Sequence, residues 1–189
     1  MLAEAPSEGP SDSSRDTWVF GYGSLIFRPE FRFAARRVAR LHGFERRFWQ
    51  SSPDHRGTPA TPGRVVTLVE NPNASVLGVA YLVLAEHTAQ VLAELDERER
   101  AGYERAPVHL DFVEAPFGRV PALVYQARAN NPGFVAHASH EQIAEIVRVA
   151  RGPSGDNASY VRCLAQALHD LGEDDPHVSA IVRLLGDGS

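Results

Sequence analysis

Six short runs rich in β-branched and aromatic residues lie between Trp18 and Ala127, and clusters of turn-forming residues separate them. The runs are TWVFGYG, VARLHGFERRFWQ, RVVTLVE, SVLGVAYLVL, PVHLDFV and RVPALVYQA, and the clusters include PDHRGTPATPG, ENPN and EAPFG. This alternation predicts strands. Because RVVTLVE and SVLGVAYLVL are almost continuously apolar, we expect them to be buried on both faces or to line a barrel interior.

One helix interrupts the strands, and the C-terminal third of the chain is predicted to be helical. The inserted helix runs through QVLAELDERE and ends by Gly102, and apolar spacing over residues 160–171 predicts another amphipathic helix. Local signals mark the starts of three of the predicted helices. They are Thr88 as N-cap of the inserted helix, Ser139 with Gln142 as a capping box, and Asp175 followed by Pro176 at the first helical position.

Strands that precede helices, with one helix inserted among them, predict an α+β fold built on a mixed sheet or small barrel. We expect one domain over residues 17–186. The preceding residues 1–16 are rich in Ser, Pro, Glu, Gly and Ala and lack hydrophobic periodicity, which predicts a disordered leader.

Charge and residue usage exclude several classes of function. The net charge is -5, which argues against nucleic acid as a partner, and all 19 basic residues are arginines, so lysine-based Schiff-base, phosphate-loop and kinase chemistry is excluded. Cys163 is the only cysteine, so no internal disulfide or cysteine zinc site can form. The sequence has neither a membrane-length apolar run nor a secretory h-region, and we expect a cytoplasmic protein without a membrane partner.

The first candidate site is GYGSLIF, residues 21–27, where a hydrophobic strand runs into two glycines that flank Tyr22. Glycines at a strand end let backbone N–H groups approach a ligand and form an anion or oxyanion nest. A tight turn after an edge strand would use the same residues.

The second candidate is the segment over residues 46–68, interpreted as a long polar loop rich in Arg and Pro between two strands. Long loops inside compact domains are often functional. Its arginines and histidine could meet anionic groups and Trp49 could wall a pocket, although each could equally belong to a solvated surface. The basic residues are Arg47, His55, Arg56 and Arg64.

The third candidate is LDERERAGYE, residues 95–104, a charged helix end. Glu97 and Glu99 fit a solvated helix face, but a carboxylate at a helix-to-loop junction can also point into a cleft and act as a general base. Periodicity does not decide between these readings. The chain has no GxSxG elbow, and His137 and His140 lack the partner pattern of a metal site, so we expect neither an enzyme nucleophile nor a metal.

At these residues the sequence resembles the ChaC-like family of glutathione-specific γ-glutamylcyclotransferases. The resemblance rests on five motifs in order, which extend over nearly the whole predicted domain. They are WVFGYGSLIF, RRFWQSSPDHRGTPATPGRVVTL, LGVAY, LDERERAGY and GPSGDNASYV.

The resemblance implies that Glu99 is the catalytic acid/base and that the chain needs no cofactor. It places the substrate-binding loop on Val19, Phe20, Gly21, Tyr22, Gly23, Ser24 and Leu25, and adds the late tyrosine Tyr160. Arginines of the second segment, Arg47 and Arg56, are candidates for substrate contacts, the distal glycine carboxylate of glutathione among them. Arg100, Ala101 and Phe27 depart from the family pattern.

The implied reaction is cyclisation of the γ-glutamyl group, in which the substrate's own α-amine attacks its γ-carbonyl to give 5-oxoproline and cysteinylglycine. A tethered amine explains why the enzyme would need no nucleophile of its own. Two alternatives stay open: a cyclotransferase for other γ-glutamyl amines or amino acids, and a module that binds glutathione or another small anion without turnover. The sequence predicts no oligomeric state.

Overall fold

The computed structural model describes residues 15–99, 102–114 and 118–186. The predicted leader lies outside the described residues except for Arg15 and Asp16, and Arg100 and Ala101 also lie outside them. Asp16 is tied to the fold, since its Oδ1 accepts a 2.9 Å hydrogen bond from the N–H of Ala85.

Five strands form a closed barrel in the spatial order β1-β3-β2-β4-β5. The barrel closes through a parallel pairing of β5 with β1, whereas the other neighbouring pairs are antiparallel. The predicted α+β fold with a small barrel is confirmed. The strands are β1 Thr17–Gly21, β2 Ala35–Ser52, β3 Gly63–Val83, β4 Tyr103–Phe112 and β5 Val120–Ala127.

The prediction of two separate strands over RVVTLVE and SVLGVAYLVL is wrong, because β3 continues through the ENPN cluster. Its pairing with β2 jumps from Glu70 opposite Phe44 to Ser75 opposite His42. Residues 71–74 therefore form a bulge, where the missing N–H of a proline costs no ladder hydrogen bond.

Among the described residues, four α-helices accompany the barrel: α1 Ala85–Arg98, α2 His140–Val149, α3 Asn157–Asp170 and α4 Pro176–Leu185. A two-stranded hairpin of β6 Arg151–Gly152 and β7 Gly155–Asp156 leads into α3. No helix among the described residues is both long and apolar enough to cross a membrane.

Two of the predicted helix starts are confirmed and one is wrong. Ser139 and Gln142 form the capping box of α2, and Asp175 caps α4 ahead of its proline. α1 instead begins at Ala85, and Thr88 lies inside it with its hydroxyl donating to the carbonyl of Leu84.

Two buried clusters position the helices around the barrel. The larger cluster joins barrel strands to α2, α3 and α4, with Phe48, Leu164 and Ile181 among its members. The smaller one packs α1 against β1 and β5 through Val91, Leu95 and their neighbours. This packing fixes where the C-terminal end of α1 lies relative to the end of β1.

Candidate active site

A cavity of ≈ 190 Å³ brings all three predicted segments to one place. The loop after β1, the loop after β2 and the end of α1 line it, together with residues of β3, β4, β5 and the α3 region. The lining residues are Phe20, Tyr22, Gly23, Ser24, Leu25, Arg28, Glu30, Ser51, Ser52, Asp54, His55, Arg56, Val65, Val66, Arg98, Glu99, Tyr103, Tyr125, Ser154 and Tyr160.

Glu99 lies at the C-cap of α1, and its backbone is held on both sides. Its N–H donates to the carbonyl of Leu95 at 2.8 Å, and its own carbonyl accepts from the N–H of Tyr103 at 3.2 Å. Only 18% of its side chain is exposed. Burial raises the pKa of Glu99, and the nearby Arg98 charge opposes that rise. A carboxylate whose pKa is raised toward neutrality is suited to exchange protons with a substrate.

Arg98 ties the end of α1 to the loop after β1. Its Nη2 donates to the hydroxyl of Ser24 at 3.0 Å, and its Nη1 donates to the carbonyls of Arg28 and Pro29 at 3.1 and 3.2 Å. Its Nε lies 3.5 Å from a carboxylate oxygen of Glu99. One guanidinium therefore sets both the charge beside Glu99 and the position of the facing loop.

The two glycines around Tyr22 are required by close packing. A Cβ at Gly21 would lie 2.6 Å from the Cβ of Leu25, and one at Gly23 would lie 2.8 Å from a methyl group of Val66. A short 3₁₀ turn over Ser24–Ile26 follows. The tight-turn reading of GYGS is confirmed, and the turn brings the loop to the cleft. The anion-nest reading stays a prediction.

The start of this turn leaves two backbone donors without a partner among the described residues. The N–H groups of Ser24 and Leu25 precede the first internal hydrogen bond of the turn, and neither has a hydrogen-bond partner among the described residues. Both residues line the cleft. Two adjacent N–H groups of this kind can stabilise an oxyanion or a carboxylate.

Three tyrosines line a wall of the cleft, and of these Tyr22 and Tyr160 are buried and Tyr103 is partly buried. The hydroxyl of Tyr22 donates to the carbonyl of Tyr125 at 2.7 Å, and that of Tyr103 donates to the carbonyl of Val66 at 2.6 Å. Burial raises the pKa of Tyr160 to about 12, and burial also raises the pKa of Tyr22 and of Tyr103. All three phenols are therefore neutral near pH 7 and can pack on a substrate or hydrogen bond to it.

The loop after β2 reaches the cleft through His55 and Arg56. His55 bridges the carbonyl of Arg98 and the hydroxyl of Ser154, each at 3.2 Å, and the carbonyl contact places a proton on Nε2. Arg56 donates to the carbonyl of Ser154 at 2.7 Å, and its guanidinium lies 5.2 Å from the ring centre of Tyr160.

The predicted loop is shorter than residues 46–68, since β2 extends to Ser52 and β3 starts at Gly63.

Several predicted residues lie elsewhere. Arg47 is not brought to the cleft: it pairs with Glu45 at 2.6 Å and lines a separate depression beside Trp49. The side chain of Val19 is fully buried against α1. Gly21 has only its backbone to offer to the turn after β1. Arg64 hydrogen bonds to the carbonyl of Gly63 and does not line the cleft.

Arg46 is the functional candidate that sequence reasoning missed. Its side chain is 0% exposed, and its Nε donates to the carbonyl of Tyr22 at 2.7 Å. Its other nitrogens bond to the carbonyl of Leu77 and to the carboxylate of Asp175. Strand alternation puts Arg46 on the same face as the buried Phe48 and Arg47 on the opposite face, which is the signal that distinguishes them.

Comparisons with known proteins place the chain among sequences of one family. The sequence model of the family described as "ChaC-like protein" matches residues 17–187. The glutathione-specific gamma-glutamylcyclotransferase 1 of Homo sapiens is 40% identical over 173 residues, which cover 89% of this chain and 78% of that protein. The glutathione-specific gamma-glutamylcyclotransferase of Saccharomyces cerevisiae is 36% identical over 199 residues, covering 82% of this chain and 86% of that protein.

A solved structure gives the same result at the level of the fold. The crystal structure of the yeast γ-glutamyl cyclotransferase specific to glutathione superposes with a TM-score of 0.84 at 30% identity. The match covers 90% of this chain and 96% of that one.

Proposed function

The chain belongs to the ChaC-like protein family, and on that premise we propose that it is a glutathione-specific γ-glutamylcyclotransferase. It converts glutathione to 5-oxo-L-proline and L-cysteinylglycine. The observation that carries the proposal is Glu99, a largely buried carboxylate with a raised pKa that shares a cleft with the glycine-bearing loop.

In the proposed reaction the enzyme holds the γ-glutamyl group folded, so that its α-amine faces its γ-carbonyl. Well-oriented intramolecular reactions of this kind gain on the order of 7 kcal/mol or more over their bimolecular counterparts. The amine starts as an ammonium with a pKa of roughly 8. It must lose a proton before it can attack.

Glu99 supplies both proton transfers. Its carboxylate accepts a proton from the ammonium, the amine nitrogen then bonds to the γ-carbon, and a tetrahedral intermediate forms. The bond from the γ-carbon to the cysteine nitrogen breaks as Glu99 returns the proton to that nitrogen. The ring nitrogen loses its remaining extra proton, which the freed amine of cysteinylglycine carries away as an ammonium. No water is consumed, and the carboxylate is regenerated at the end of the cycle.

The loop after β1 supplies the electrostatic stabilisation. The N–H groups of Ser24 and Leu25 hold the oxyanion of the intermediate or the α-carboxylate of the substrate. Tyr22 and Tyr160 pack beside the γ-glutamyl chain, and Arg56 holds Tyr160 and the adjoining loop in place. Phe20 closes the inner wall.

The direct test is incubation of the protein with glutathione, followed by chromatography for 5-oxoproline and cysteinylglycine. We expect equal amounts of the two products. Their absence at high enzyme concentration would overturn the proposal, and calorimetric binding of glutathione without product would instead favour a binding module. Parallel assays with γ-glutamyl-alanine separate a glutathione-specific enzyme from a general γ-glutamyl cyclotransferase.

A further inference from the structure

Four basic side chains line the cleft, and two of them, Arg98 and Arg56, are anchored within the protein. The guanidinium of Arg98 bonds to a serine hydroxyl and to two backbone carbonyls. Arg56 bonds to the carbonyls of Ser154 and Asp156 and lies over the Tyr160 ring. Neither can turn to a ligand without losing these contacts.

Both ring nitrogens of His55, the third, are also engaged, with the Arg98 carbonyl and the Ser154 hydroxyl. Arg28 differs from the other three, since even Arg56 has one terminal nitrogen, Nη1, engaged. The Nε of Arg28 donates to a carboxylate oxygen of Glu30 at 2.6 Å, whereas its two terminal nitrogens have no hydrogen-bond partner in the described part of the chain. Half of its side chain is exposed at the rim of the cleft.

The backbone of Arg28 is fixed relative to the glycine-bearing loop. Its N–H donates to the carbonyl of Ser24 at 2.8 Å, and its carbonyl accepts from Arg98 at 3.1 Å. Glu30 orients the guanidinium from one side and leaves the other edge of the fork open. Two parallel N–H donors on an arginine fork match the two oxygens of a carboxylate.

The charge at this rim also favours an anion. Burial lowers the pKa of Arg56 most, and the positive charge of Arg28 lowers it further, so the two guanidinium groups act on each other across the cleft. A bound carboxylate between them would relieve this repulsion.

We propose that Arg28 forms a carboxylate subsite at the rim of the cleft, which binds the C-terminal carboxylate of the γ-glutamyl peptide substrate. The subsite rests on the proposed function and adds the residue that selects a peptide with a free C-terminus. It acts at the end of the substrate away from Glu99, so it contributes to substrate binding rather than to proton transfer.

The test compares glutathione with its C-terminal glycine amide, which lacks the distal negative charge. Arg28→Gln is expected to lower kcat/KM for glutathione by about tenfold, mainly through KM, because a charge-assisted contact at a half-exposed site is lost. For the amide, the wild-type protein and Arg28→Gln are expected to perform alike. Arg32→Gln, at an exposed position outside the cleft, is the matched control and should change neither substrate.

An equal loss with both substrates, or no loss with glutathione, would overturn the subsite. Binding measured by calorimetry in a Glu99→Gln background separates this result from failure of the proposed function. There Arg28→Gln should weaken binding of glutathione about tenfold and leave binding of the amide unchanged. If the wild-type protein makes no 5-oxoproline, the proposed function fails, and equal binding of glutathione with and without Arg28 overturns the subsite as well.

Discussion

Arg98 donates a 3.0 Å hydrogen bond from Nη2 to the hydroxyl of Ser24, which joins the last turn of α1 to the glycine-bearing loop after β1. The same guanidinium lies 3.5 Å from the carboxylate of Glu99 and opposes the rise of its pKa. Arg98 therefore affects both the position of the loop and the basicity of Glu99, and two substitutions can separate these effects.

Arg98→Gln removes the positive charge, so the pKa of Glu99 should rise further. Since the ionised carboxylate is the working form, activity is lost as the pH falls through this pKa. The acid limb of the kcat/KM profile should therefore move to higher pH, by about one unit for the loss of an adjacent opposite charge. The measurement is a pH profile with glutathione.

Arg98→Lys is the matched variant, because it keeps the charge and loses the fork. We expect its acid limb to stay in place while kcat/KM falls at every pH, since one ammonium cannot hold the serine hydroxyl and both carbonyls. An acid limb that moves equally in both variants would show that the position of the loop, and not the charge of residue 98, controls the pKa of Glu99.

Asp54 has the opposite influence on the same carboxylate, since its negative charge raises the pKa of Glu99. Asp54→Asn should lower that pKa and extend activity to lower pH, by less than Arg98→Gln shifts it, because Asp54 is the smaller contributor and is partly exposed. An acid limb displaced upward in Asp54→Asn would contradict the assignment of this limb to Glu99.

Glu99→Gln keeps the shape of the side chain and removes the base. Turnover should fall by roughly 10²–10⁴-fold, the usual contribution of a positioned acid/base group, while the thermal unfolding midpoint stays close to that of the wild-type protein. Glu97→Gln, two residues earlier and exposed, is the control and should keep nearly full activity. Retained turnover in Glu99→Gln would assign the proton transfers to another residue.

Arg46 and Arg47 are neighbours with opposite surroundings, and their substitutions should differ accordingly. Arg46→Gln takes the cationic partner from the largely buried carboxylate of Asp175 and releases the carbonyl of Tyr22, which should cost about 3–5 kcal/mol of unfolding free energy. Arg47→Gln breaks a partly exposed pair with Glu45, worth roughly 0–1 kcal/mol. It also removes a hydrogen bond to the carbonyl of Arg46 and a contact with the Trp49 ring, and its total cost should stay below that of Arg46→Gln. Chemical denaturation measures both, and equal losses would contradict the role of Arg46.

The elements that the sequence predicts well are those whose signals are local. The Ser139 capping box and the Asp175 cap need only four adjacent residues each, and both are confirmed. The start of α1 was misplaced at Thr88 because the Ala85 N–H is satisfied by Asp16, 69 residues away in sequence. No local pattern reports a cap of that kind.

In the candidate site, too, features with local signals could be predicted and features that depend on distant residues could not. The motifs identified the segments that line the cleft, but the choice between arginines depends on strand pairing and on contacts distant in sequence. Arg46 is buried and Arg47 faces outward because of the pairing of β2 with β3, which resumes after the bulge opposite Gly43. Arg28 gave no sequence signal, since its role depends on which of its neighbours' guanidinium groups are already engaged.

Gly152, the first glycine of the GPSG motif, explains how the loop after β2 is held against the cleft. A Cβ at Gly152 would lie 2.3 Å from the carbonyl oxygen of His55 and 2.6 Å from the nitrogen of Gly57, and both are backbone atoms that cannot rotate away. Gly152→Ala must therefore push the loop outward and move His55, which touches the carbonyl of the residue before Glu99.

We expect Gly152→Ala to lower kcat/KM with glutathione by at least about tenfold and to reduce the unfolding free energy by roughly 1–3 kcal/mol, as overpacking does. Gly118→Ala is the matched control, because no atom of the part of the chain that the structure describes lies within 4 Å of a Cβ added there. It should leave activity unchanged, and its stability should stay within about 1 kcal/mol of the wild-type value. If Gly152→Ala retained full activity, the loop could shift without disturbing Glu99, and the contact from His55 to the Arg98 carbonyl would have no part in positioning the acid/base.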